Sequence, residues 1–124
     1  MSSLVRFHKS LADAARGIKF VFTNESNFRV QLLVGGLAGF FTWALRIHRT
    51  ESLVVYSLIV LVLILELLNS AVEKLLDILK PRREYQVQVT KDIMAGVVLC
   101  ATVGAVLIGS IIFLPAVVEL FRRL

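Results

Sequence analysis

Apolar and polar positions divide the chain into four stretches of different texture. Residues 3–22 place apolar side chains at Leu4, Phe7, Leu11, Ala14, Ile18 and Phe22, while Arg6, Lys9, Asp13 and Arg16 recur at the same spacing on another face. That period predicts an amphipathic helix. Moderate hydrophobicity with a basic face suits a helix lying in a membrane interface, although a plain anchor with solvated charges fits the same pattern. Thr23-Asn24-Glu25-Ser26-Asn27 then breaks the pattern with cap and turn residues. Residues 30–45 carry no charge between Arg29 and Arg46. Such a stretch rises only about 24 Å, short for a bilayer unless its flanking side chains snorkel. Gly35 and Gly39 form a small-xxx-small pair suited to close helix packing, and Trp43 suits an interfacial aromatic.

Residues 46–51 read as a short polar turn before a second apolar run that starts near Leu53 and reaches about Val72, with Glu66 the one charge inside it. This helix is expected to emerge into water over 74–80 and to stop before Pro81. Residues 81–90 look like a basic, polar loop. A third run, 93–118, has no charge across 26 positions. Gly96, Cys100 and Gly104 recur every four residues along it as a second packing face, and Pro115 is expected to kink or end it. The prediction is an all-α membrane protein of a single domain, 1–124. It has an amino-terminal amphipathic surface helix and three transmembrane helices, at about 30–47, 53–79 and 92–119.

Composition agrees with a membrane setting. Apolar residues make up 57% of the 124-residue chain, against about 45–50% for a soluble domain. The net charge of +5, in so apolar a chain, points to anionic lipid and phosphate rather than nucleic acid. No zinc spacing or RNA-binding aromatic motif favours a nucleic-acid partner. Cys100, the single cysteine, is expected to be a small buried hydrophobe. Charges at Arg6, Lys9, Asp13, Arg16 and Lys19 interrupt any apolar core of signal-peptide type. Lys and Arg at 6, 9, 16, 19, 29, 74, 80, 82, 83 and 91 outnumber those at 46, 49, 122 and 123 by ten to four. The positive-inside rule therefore places the amino terminus and the 74–91 region in the cytoplasm.

The chemistry concentrates in Glu66-Leu-Leu-Asn69-Ser70-Ala-Val-Glu73-Lys-Leu-Leu-Asp77. At about 100° per residue these polar positions share one face of a helix. A carboxylate at the foot of a span is costly and is by default a functional hypothesis. The topology brings this face level with Asn24, Glu25 and Arg29 before the first span and with Lys91-Asp92 before the third. Carboxylates gathered so closely need a cation, and Mg²⁺ with phosphate oxygens and water is the natural one. Arg6, Arg16, Lys19 and Lys91 could take the remaining phosphate charge. Glu66 lies at the depth where it could accept a proton from a lipid hydroxyl. Together these groups suggest phosphoryl transfer from a nucleotide to a membrane lipid. No G-x-x-x-x-G-K-[ST], H-R-D or D-F-G is present, so any kinase here differs from the soluble ones.

The 66–77 stretch resembles the E-x-x-N-[ST]-A-[IV]-E-x-x-x-D signature of the prokaryotic diacylglycerol kinase and undecaprenol kinase family. Asn24-Glu25-x-x-Phe28-Arg29 resembles that family's first motif, and Lys91-Asp92-x-x-Ala95-Gly96-x-Val98-Leu99 its third. The resemblance implies a homotrimeric bundle with active sites shared between chains, in the inner membrane of a bacterium, with the sites facing the cytoplasm. It also implies Mg²⁺, ATP as co-substrate and a lipid alcohol as acceptor. In that family Glu66 would be the general base, and Glu25 and Glu73 would bind Mg²⁺ on the ATP phosphates. Asn69 and Asp77 would shape the site and the nucleotide contact, and Lys91 would meet phosphate with Asp92 beside it. Arg6 and Arg16 would reach the nucleotide from the surface helix.

Asp13 and Ala15, the Pro81-Arg82-Arg83 loop and the Ile112-Phe113-Leu114-Pro115 ending depart from the enteric diacylglycerol kinases and look closer to the undecaprenol kinase branch. Either lipid remains open on these residues. Solvated charge is a simpler reading of Asp77, and interhelical hydrogen bonding of Asn69. The competing function class is a non-enzymatic membrane oligomer, a cation channel or regulatory subunit, for which an acidic ring would suit conduction.

Overall fold

The computed structural model describes residues 2–79 and 84–124. Four helices follow in order: α1 (Ser3–Asn24), α2 (Ser26–Ala44), α3 (Arg49–Leu79) and α4 (Tyr85–Arg122). The Ser2 hydroxyl caps α1 by accepting from the Val5 N–H at 3.2 Å. Only Val21 of α1, near its carboxyl end, is buried. There Lys74 Nζ of α3 lies 4.5 Å from the centroid of the Phe20 ring.

The joint between α1 and α2 is one residue, Glu25, in extended conformation. Arg29 locks it. Its Nη1 donates to the carbonyls of Phe22 (2.7 Å) and Thr23 (3.0 Å), two of the acceptors a helix end leaves without partners. Phe28 is buried on the inner side of the same turn.

The Gly35–Gly39 pair does what its spacing predicts. A Cβ at Gly35 would lie 2.8 Å from Ile59 Cγ2 and one at Gly39 would lie 3.3 Å from Tyr56 Cε1, so both glycines let α2 close on α3. Tyr56 Oη donates to the Gly39 carbonyl at 3.2 Å across this seam. α2 ends in a Schellman-type turn: the Ile47 N–H reaches the Thr42 carbonyl at 3.2 Å with Arg46 at φ 54°. α3 packs on α4 more extensively than on any other helix. Both are long and apolar enough to cross a membrane, rising about 46 and 57 Å. The chain exposes 9432 Å², whereas a compact soluble monomer of 13.8 kDa would expose about 6,600 Å². The outer faces of α2, α3 and α4 are apolar, and Trp43 is 73% exposed. This is the surface of an all-α membrane protein.

Several expectations change. Residues 85–90 are helical and extend α4 backwards, and residues 49–51 likewise belong to α3; glutamine, arginine and glutamate are good helix formers despite their polarity. The basic residues Lys80, Arg82 and Arg83, with Pro81, lie outside the described residues. α4 continues through Pro115 to Arg122 rather than ending there. Cys100 is exposed, not buried. A Cβ added at Gly96 or Gly104 would meet nothing within 4 Å, so the second small-residue face meets no helix of its own chain.

Candidate active site

Glu66 points inward from α3 and is 3% exposed. Burying a carboxylate demands a hydrogen-bonding partner, and α2 supplies it. Gln31 Nε2 donates to Glu66 Oε2 at 3.1 Å. One turn further along α3, Ser70 is buried and Asn69 half-buried. Asn69 Oδ1, Ser70 Oγ and Gln31 Oε1 are each buried without a hydrogen-bond partner. Unsatisfied groups of this kind are rare in folded proteins and gather where a ligand, ion or water belongs.

Glu73 is half-buried about two turns of α3 below Glu66. Glu25, at the α1–α2 joint, is half-buried as well, and both carboxylates lie within electrostatic reach of Glu66. No group of three potential ligands gathers among the described residues. A pair of carboxylates is nonetheless the donor set that suits Mg²⁺, which keeps waters and takes phosphate oxygens in place of a full protein cage.

Lys91 and Asp77, expected separately at the site, pair with each other: Nζ to Oδ1 is 2.7 Å, joining α4 to α3. The remaining candidates sit further out. Asp92 is exposed and accepts from Gln88 Nε2 of its own helix at 2.9 Å. Arg16 is exposed and paired with Asp13 on α1, and Arg6 is exposed on the same helix. The folded chain thus sets Glu25 and Glu73 within electrostatic reach of Glu66, without closing the three carboxylates into one cluster. Asn69 lies one turn from Glu66 on α3, and the Lys91–Asp77 pair lies on the α3–α4 side. Gln31 is the member that sequence reasoning missed. Its signal was faint: a neutral amide two residues past Arg29, inside an otherwise apolar run.

Residues 12–113 match the family model described as prokaryotic diacylglycerol kinase. The chain belongs to that family. Membership sets it among lipid kinases, and the reading as a channel or regulatory subunit is not favoured. It is 33% identical over 108 residues to a diacylglycerol kinase of Synechocystis sp., covering 84% of this chain and 60% of that relative's length. It is 31% identical over 114 residues to an undecaprenol kinase of Bacillus subtilis, covering 92% of this chain and 93% of that relative. The chain therefore spans less than two thirds of the first relative and nearly the whole of the second.

Proposed function

We propose that this chain is an ATP-dependent kinase of a membrane lipid alcohol, acting at the cytoplasmic interface of a bacterial inner membrane. The observation that carries the proposal is the buried Glu66 held by Gln31 at the foot of an apolar helix, with Glu25 and Glu73 nearby. α2 serves as a third span beside α3 and α4. Its 19 residues rise about 28 Å, close to the thickness of a hydrocarbon core. The ten-to-four excess of Lys and Arg supports a cytoplasmic amino terminus. The unpartnered Gly96–Cys100–Gly104 face and the exposed apolar side chains of α4 support assembly with further copies, the homotrimer that the family resemblance implies.

The lipid oxygen bonds to the γ-phosphorus as the bond from that phosphorus to the β-phosphate bridging oxygen breaks. The bond pair leaves with ADP, and the hydroxyl proton passes to the free oxygen of Glu66. Mg²⁺, held by Glu25 and Glu73, would neutralise phosphate charge. Asn69, with an unsatisfied oxygen one turn from Glu66, shapes the site beside it. Lys91 supplies a cation for phosphate, its ammonium already aimed by Asp77. Asp77, Arg6, Arg16 and Asp92 form the outer ring on the nucleotide side. The near end-to-end match to the undecaprenol kinase favours a polyprenol acceptor over diacylglycerol.

The test is transfer of labelled γ-phosphate by purified protein, with Mg²⁺ and ATP, to undecaprenol and to diacylglycerol in one detergent system. The expected result is Mg²⁺-dependent labelling, faster on undecaprenol; labelling of neither lipid removes the kinase reading. Glu66→Gln should lower turnover by about 10²–10⁴-fold with the fold intact. A variant that kept more than about a tenth of the rate would exclude Glu66 as the base.

A further inference from the structure

We infer that Gln31 is a positioning residue for the transfer. Its side-chain amide fixes one oxygen of Glu66 so that the other is presented to the lipid hydroxyl. This rests on Glu66 being the base.

The amide can face Glu66 in one sense only. Nε2 donates to Oε2 at 3.1 Å, whereas a flipped amide would set its oxygen against a carboxylate oxygen, acceptor to acceptor. The bond spans 35 residues of sequence and joins two helices, so the carboxylate orientation depends on α2 staying against α3. A glutamine serving only to fasten helices would be satisfied at both ends. This one is satisfied only toward the carboxylate, because its Oε1 is buried without a partner.

Its surroundings give the same answer. Gln31 lines a groove of about 530 Å³ between α2, α3 and α4 whose walls are mainly apolar, including Val34, Val55, Val62 and Val106. The groove's two hydroxyls are already engaged with their own helix: Thr102 donates to the Val98 carbonyl at 2.8 Å and Ser110 to that of Val106 at 2.7 Å. Gln31 is therefore the lining side chain that couples the groove to the reacting carboxylate.

A neutral amide also suits the task better than a cation would. Lys or Arg in this position would bind Glu66 as an ion pair and compete with the hydroxyl for it. Among the described residues the charges that act on Glu66, those of Glu25 and Glu73, are themselves acidic.

Gln31→Met keeps the length and removes the donor. It should lower kcat about 10–100-fold, the range for losing a hydrogen bond to a charged group, while KM for lipid and for ATP stays within about twofold. A rise in either KM with kcat unchanged would overturn the inference. Gln31→Asn, polar but one methylene too short to reach, should reproduce the loss. It provides the same reading if the methionine variant does not fold; wild-type kcat in Gln31→Asn would refute the positioning role.

The decisive measurement is a double-mutant cycle in single turnover. In a Glu66→Gln background, Gln31→Met should have no further effect, because Gln31 acts through the carboxylate. Effects that multiply would show a structural role instead. If Glu66→Gln is itself active, the base assignment has failed. If Glu66→Gln is dead and Gln31→Met is fully active, the inference about Gln31 alone has failed.

Discussion

Gly35→Ala tests the α2–α3 seam on which the site depends. The added Cβ would sit 2.8 Å from Ile59 Cγ2, about 1 Å closer than an ordinary carbon–carbon contact. Ile59 cannot swing aside cheaply, since a β-branched side chain in a helix has one strongly preferred rotamer. Overpacking of this size costs about 1–3 kcal/mol. Alanine also gains helix propensity over glycine, about 0.8–1.0 kcal/mol, so the raw change could be small. Gly36→Ala isolates the steric part, because nothing lies within 4 Å of a Cβ at Gly36 and the propensity gain is shared. Gly35→Ala should be the less stable variant by about 1–3 kcal/mol. The assay is reversible unfolding in mixed micelles followed by Trp43, the single tryptophan, on α2. If α2 backs away to relieve the clash, it carries Gln31, one turn earlier on the same face. A displacement near 1 Å there should reduce kcat by up to about 100-fold. Ile59→Ala, which removes the clashing methyl, should recover part of that stability in the double variant once its own effect is subtracted. Equal stability of Gly35→Ala and Gly36→Ala within about 0.5 kcal/mol would refute the close approach of α2 and α3.

Lys91→Met should cost less than about 1 kcal/mol of stability, because its ion pair with Asp77 is partly solvated, yet raise KM for ATP about 10-fold or more if the ammonium meets phosphate. Exchanging the charges, Lys91→Asp with Asp77→Lys, should restore stability but not KM; recovery of both would make the pair purely structural. Lys74→Met keeps the stem but loses the cation over Phe20, worth about 0.5–1 kcal/mol. Amide exchange over the last turns of α1 should then quicken about two- to fivefold, and unchanged exchange would show that the contact does not hold α1 down.

The acidic stretch of α3 is legible because carboxylates beside a hydrocarbon run have few structural excuses, and helical spacing places them on one face. The glycine pairs show the limit of such patterns. Gly35–Gly39 and Gly96–Cys100–Gly104 carry the same signature, yet only the first meets a helix of its own chain. Spacing shows that a face can pack closely; it does not show against what. Cys100 departs from expectation for a related reason. In a bilayer an apolar position need not be interior, since lipid tails solvate it as well as a protein core does. Residues 85–90 read as a loop because they are polar, but polarity reports solvent contact and not backbone conformation. Gln31 and the Lys91–Asp77 pair are tertiary facts. Neither an uncharged amide nor a pair formed across two helices leaves a periodic trace in the chain.

The joint at Glu25 has a mechanical meaning. A hinge with several residues would absorb movement of α1 before it reached α2. This one has a single residue, and Arg29 clasps the carbonyls on its far side, so there is no slack to take up. A displacement of α1 is therefore geared directly to the Glu25 carboxylate. Whatever tilts α1 would then be transmitted, as by a short lever, to the acidic group at its pivot.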